Sequence, residues 1–127
     1  VATVTIEVDA SELNQLAIDL GAAGARAPVL ARQVVQKSSA DIKRDGQRFA
    51  PVDTGHLMNS ITYETRQLPA GAAGEIGPTA EYGRYVEEGT STMAPRAYMG
   101  PALDRNTPAF VTAAEALGVQ ALGMGDG

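Results

Sequence analysis

Val4, Ile6 and Val8 alternate with Thr3, Thr5 and Glu7, a period of two in a β-branched run that predicts a half-buried opening strand. Asp9 stops it and stands three residues before Glu12, at capping-box spacing; Leu13, Leu16, Ala17 and Leu20 follow at helical spacing, predicting a short amphipathic helix. Residues 21–27 form a Gly/Ala turn, and Pro28 suits the first position of a long second helix. Ala31, Val35, Ser38, Ile42 and Phe49 mark the inner face of that helix, and Ala50-Pro51 ends it.

Further on, Ile61, Tyr63 and Thr65 alternate with Thr62, Glu64 and Arg66, which predicts a second strand. Residues 67–74 read as a flexible Ala/Gly-rich turn, and residues 75–77 as a short strand that pairs back. Residues 82–88 read as a short helix and residues 89–97 as a long exposed loop. Thr107 then caps a last helix with Pro108 at its first position and Phe110, Ala113, Ala114 and Leu117 on its buried face.

The resulting order, β-α-α-β-β-α-loop-α, does not alternate strictly. It predicts an α+β fold, a small, mostly antiparallel sheet with helices packed on one face. Residues 1–117 are expected to form one domain and residues 118–127 a flexible C-terminal tail.

Composition changes this picture in one respect. Of 127 residues, 22 are Ala and only 26 are Val, Ile, Leu or Phe, so the core is thin and contacts between subunits are expected to complete it. No apolar stretch approaches the ~18 residues of a membrane span, and no signal-peptide pattern opens the chain, so neither a membrane protein nor a secreted one is expected. With no Cys and His56 as the single imidazole, no zinc site of the usual kind can be built within one chain, and no metal or other cofactor is expected.

The net charge of −5 is unevenly spread: residues 26–48 hold six bases and two acids, a +4 island in an acidic chain. Arg32, Lys37, Lys43, Arg44 and Arg48 on helix 28–49 open the alternative of a nucleic-acid-binding protein. A solvated face or a subunit contact is the preferred reading, because Asp41 and Asp45 offset the bases and no aromatics interleave with them. Asp53, His56 and Ser60 form the only nucleophile set in view, yet neither a nucleophile elbow nor an oxyanion-forming Gly run surrounds a serine, so no catalytic residue is assigned and the chain is not expected to be an enzyme. Asp53 or Thr54 instead caps a turn beginning at Gly55, with Leu57 packing inward. Glu81, Glu87 and Glu88 lack the spacing of a calcium loop, and pairing with Arg84 or Arg96 is expected. Tyr82, Tyr85 and Tyr98 suit either an interface or a core.

Two longer stretches are more specific: residues 50–57, Ala-Pro-Val-Asp-Thr-Gly-His-Leu, followed by Ser60-Ile61; and residues 82–90, Tyr-Gly-Arg-Tyr-Val-Glu-Glu-Gly-Thr, followed by Pro101-Ala102-Leu103. Together they resemble the small neck protein family of long-tailed bacteriophages, often labelled a tail component, with relatives among tail-completion and head-tail connector proteins such as the lambda minor tail protein Z. The hallmarks read Pro-x-Asp-Thr-Gly-x-Leu, Tyr-x-x-Tyr-Val-Glu-x-Gly-Thr and Pro-Phe-x-x-Pro-Ala-Leu, and the resemblance spans residues 28–117. In the third, Ala97-Tyr98-Met99 departs from the family pattern.

The resemblance implies a ring-forming structural protomer, typically a hexamer, in the virion neck after assembly in the host cytoplasm. Its partners would be the head-closure protein, tail terminator and tail tube, with genomic DNA passing through without sequence-specific binding. Terminator or head-closure roles are the nearest alternatives. Pro51, Asp53, Thr54, Gly55 and Leu57 would fix a turn; Tyr82, Tyr85, Glu87, Gly89, Thr90, Pro95, Arg96, Tyr98 and Pro101 would face a subunit or partner. Residues 89–96 would be a docking arm that orders on assembly, and Glu75, Glu81 and Glu115 are candidates for an acidic wall along the DNA passage.

Overall fold

A computed structural model describes residues 3–11, 15, 26–51, 55–69, 71–80, 83–89 and 97–121. The elements are β1 (Val4–Asp9), α1 (Arg26–Phe49), α2 (His56–Ser60), β2 (Ile61–Leu68), β3 (Gly71–Pro78), α3 (Gly83–Glu88) and α4 (Met99–Ala121). The fold is α+β with one antiparallel three-stranded sheet, in the order β1-β3-β2. The expected first helix at Leu13–Leu20 lies outside the described residues; at its start, Asp9 Oδ1 accepts the Ser11 amide at 3.0 Å, as an N-cap does.

One face of the sheet carries Ile6, Val8, Ile61, Ala72 and Ile76 and packs on α1; the other carries Glu7, Glu64, Arg66 and Glu75 to solvent. α4 packs lengthwise along a flank of α1 and also reaches β1, so both long helices lie on the same side of the sheet. That position explains why α1 is buried over so wide an arc, from Val35 and Ser39 to Ile42 and Asp45. A helix flanked on two sides needs small or apolar groups on both.

Two expectations are corrected here. Residues 71–74 are not a loose turn but half of the central strand, paired with β1 on one side and β2 on the other, and β2 itself runs on to Leu68. Their Ala and Gly side chains reflect close approach, not flexibility. A Cβ on Gly74 would run into Ser39 Oγ and stand 3.1 Å from Val35 Cγ1.

The last helix starts at Met99, nine residues before Pro108, and continues through Gly118, the first residue of the expected tail, to Ala121. Pro108 is therefore interior, and Thr107 is not a cap: its hydroxyl donates back to Leu103 O at 2.7 Å.

Ser39 Oγ is buried without a hydrogen-bond partner, wedged between α1 and Gly74. Gly74→Ala is expected to cost about 1–3 kcal/mol in urea denaturation, with Ser39→Ala recovering part of it and, alone, leaving the protein as stable or about 1 kcal/mol more so. A neutral Gly74→Ala would mean that α1 does not approach β3 this closely.

Candidate functional site

Leu57 is buried and Pro51 half-buried, and between them Gly55 takes φ 77° as the residue preceding α2. Its carbonyl accepts the Asn59 amide at 2.9 Å, and α2 has no side-chain cap. Asp53 and Thr54, expected as the caps, lie outside the described residues. Ser60, at the end of α2, gives its hydroxyl proton to Leu57 O at 2.8 Å.

α3 carries the second motif, and what it does is visible at its far end. Glu87 Oε1 accepts the amides of Tyr98 at 3.0 Å and Met99 at 2.7 Å, and Oε2 that of Gly100 at 3.2 Å. One carboxylate thus satisfies the otherwise unpaired donors that open α4, where the helix dipole also favours negative charge. Of the expected pairings with arginine, Arg96 lies outside the described residues; Glu87 turns its oxygens to backbone, while Arg84 lies over the Tyr85 ring at 5.0 Å and its charge helps lower the neighbouring Glu88 carboxyl.

The Tyr98 hydroxyl donates to Gly83 O at 2.8 Å, closing the same joint from the other direction. Tyr98 is 0% exposed, so of the two roles open to it the core role holds and the placement at an interface is corrected. Gly83 leaves no room for a side chain, since a Cβ there would sit 2.5 Å from Pro78 Cγ and 2.7 Å from Tyr98 Oη. Gly89 ends α3 with φ 80° and an amide bonded to Tyr85 O at 2.7 Å, a left-handed C-terminal cap. Tyr85, 46% exposed, and Pro101 remain at the surface. Tyr82, Thr90, Pro95 and Arg96, with Glu81 and most of the expected docking arm, lie outside the described residues.

A second polar cluster joins α1 to α4. Asp45, 1% exposed, accepts the Asn106 side-chain amide at 2.8 Å and is ringed by Arg48 at 3.3 Å, Arg105 at 3.4 Å and Arg44 at 3.7 Å. Burial by itself raises the Asp45 carboxyl, but the Asn106 bond and the Arg44, Arg105 and Arg48 charges outweigh it and hold the group below its ordinary value. Lys37 and Arg44 pair with Asp41 at 2.9 and 3.2 Å. Lys37, Arg44 and Arg48 of the basic island thus pair with carboxylates of their own helix while remaining exposed, and Arg32 is exposed as well. Glu75 lies on the open sheet face and Glu115 on the exposed side of α4.

Among the described residues no group of three or more acidic or His side chains is placed to hold a metal ion, and no helix is long and apolar enough to cross a membrane. The site is a set of structural joints. The family model described as "Bacteriophage HK97-gp10, putative tail-component" matches residues 14–89, well over half of the chain. The chain belongs to this family. The match takes in the first motif and the second up to Gly89, so the tail-component family assignment rests on α1, α2, β2, β3 and α3, with β1 and α4 outside it. No curated protein and no solved structure matches the chain.

Because the Asp45 carboxyl sits lower in the fold than in the unfolded chain, where it titrates near ~3.9, its contribution is full above that value and fades as pH falls through the lowered one. Asp45→Asn should therefore lose roughly 2 kcal/mol at pH 7, with the gap to wild type narrowing below about pH 4 in urea melts. A gap that stays constant from pH 7 to pH 3 would show that Asp45 is not ionised in the fold.

Proposed function

We propose that the chain is a structural protein of the virion neck that assembles as a ring, hexameric as in the resemblance, between the head-side connector and the tail tube. The family match carries the reading: a phage tail component is a structural part that works with other tail or neck proteins in the virion. The chemistry of the motifs supports it. Glu87, Tyr98, Gly55 and Gly89 spend their special groups on caps and turns within the subunit, leaving no converging nucleophile and base among the described residues and giving no reason to assign an enzymatic activity.

The thin core is consistent with subunits that bury further surface in an assembly. Val29, Tyr85 and Val111 are large apolar side chains left exposed at 52%, 46% and 43%. Pro101 and Tyr85 are the interface candidates among the described residues; Tyr82, Thr90, Pro95 and Arg96 complete the proposed set. The net charge of −5 suits a passage through which DNA moves without being held, although which residues line it is open to assignment only in the assembled ring.

Light scattering coupled to size exclusion, with negative-stain imaging, tests the proposal. A closed particle near six subunits is the expected result. A strict monomer at every concentration, alone and with the tail tube, contradicts it.

A further inference from the structure

The open sheet face and the exposed side of α1 that points away from the sheet carry opposite charge. On the open sheet face, Glu7, Asp9, Glu64 and Glu75 are opposed, among the described residues, by Arg66 alone. Glu64 stands directly across from Glu75 in the β2–β3 register, an arrangement of like charges that is unfavourable in an isolated sheet. Arg66 reaches only Glu75, at 3.7 Å, and does not relieve Glu64. Beside this row the small Ala73 leaves a depression of about 60 Å³ bordered by Glu64, Arg66 and Glu75.

The other side is basic. At 3.6 residues per turn, Arg44 stands half a turn around α1 from the buried Val35, pointing away from the sheet, with Lys37 close to the same line. Arg48 and Arg105 join them around Asp45, so four exposed cationic side chains share two carboxylates, Asp41 and Asp45. The cluster keeps a surplus of positive charge and unused guanidinium donors.

We infer that the occupant of the acidic sheet face is a second copy of this chain, docked through its Lys37/Arg44 face, with a long cationic side chain entering the depression over Ala73 between Glu64 and Glu75. The inference deepens the assembly reading above and rests on it. Because the two faces lie on opposite sides of one subunit, the contact is head to tail, the type that closes into a ring when the rotation allows. It also relieves the Glu64/Glu75 row, which nothing inside the subunit does fully.

The test is a charge swap on the intact chain, read by sedimentation at about 50 mM salt, where screening is weak. The double variants Glu64→Lys/Glu75→Lys and Lys37→Glu/Arg44→Glu each place like charge against like, whereas Arg48 and Arg105 still neutralise Asp45. Each variant alone is expected to associate at least tenfold more weakly than wild type, and an equimolar mixture is expected to regain assembly, because every contact is then complementary. Recovery on mixing also shows that both variants fold. If either reversal unfolds, Glu64→Gln/Glu75→Gln and Lys37→Gln/Arg44→Gln replace them, each expected to weaken association about tenfold and to flatten its salt dependence. Wild-type assembly retained by both variants, or lost without recovery on mixing, overturns the face assignment and leaves the assembly reading standing. A wild-type chain that is monomeric overturns both. Salt-dependent binding of a DNA duplex through Lys37 and Arg44 in place of self-association overturns the inference in favour of a nucleic-acid partner.

Discussion

The Glu87 carboxylate on the first turn of α4 is the contact through which the rest of the structure is tied together. It ends one motif and begins the next helix, taking three backbone amides at once. These amides open α4, and α4 packs lengthwise on α1. The Tyr98–Gly83 bond repeats the link from the opposite side, so that α3 and α4 are held at a fixed spacing. Met99, next in the chain, places its sulfur against Gly46 of α1, which carries the constraint into the middle of the fold.

Close approach governs the rest of the packing. α1 is flanked by sheet and helix, and the side toward the sheet comes close because β3 presents the small Ala72 and Gly74 to it. Thin side chains mean little apolar area per residue, and the chain compensates with the Asp45 network, a buried carboxylate that binds α1 to Asn106 and Arg105 of α4. The same network leaves its arginines facing outward. Packing inside the subunit and the charge of its surface thus have a common origin.

Much of this was legible in the sequence where periodicity spoke. The strands at Val4–Asp9 and Ile61–Leu68, the long helix ending at Phe49 and the short helix at Glu88 follow from alternation, helical spacing and Pro/Gly punctuation. The central strand did not, because Gly-Ala-Ala-Gly has the composition of a turn and becomes a strand only when a helix lies across it. The start of α4 was hidden for a similar reason. A local reading finds Thr107-Pro108, whereas the actual cap is a glutamate 11 residues before Tyr98. Asp45 was legible as a charge that offsets its neighbours, but its partner Asn106 is 61 positions away. The motif residues themselves were visible as a family resemblance, and only the structure shows that Glu87 and Tyr98 bond to each other's segments.

The central claim is that the motif around Glu87 holds the subunit in the shape that assembles. Amide hydrogen exchange at Tyr98, Met99 and Gly100, compared between wild type and Glu87→Ala, addresses it most directly. The account predicts that these three amides lose at least about tenfold in protection while those of β3 keep theirs, with Glu87→Gln intermediate because one acceptor oxygen remains. Equal protection of the three amides in wild type and Glu87→Ala would contradict it.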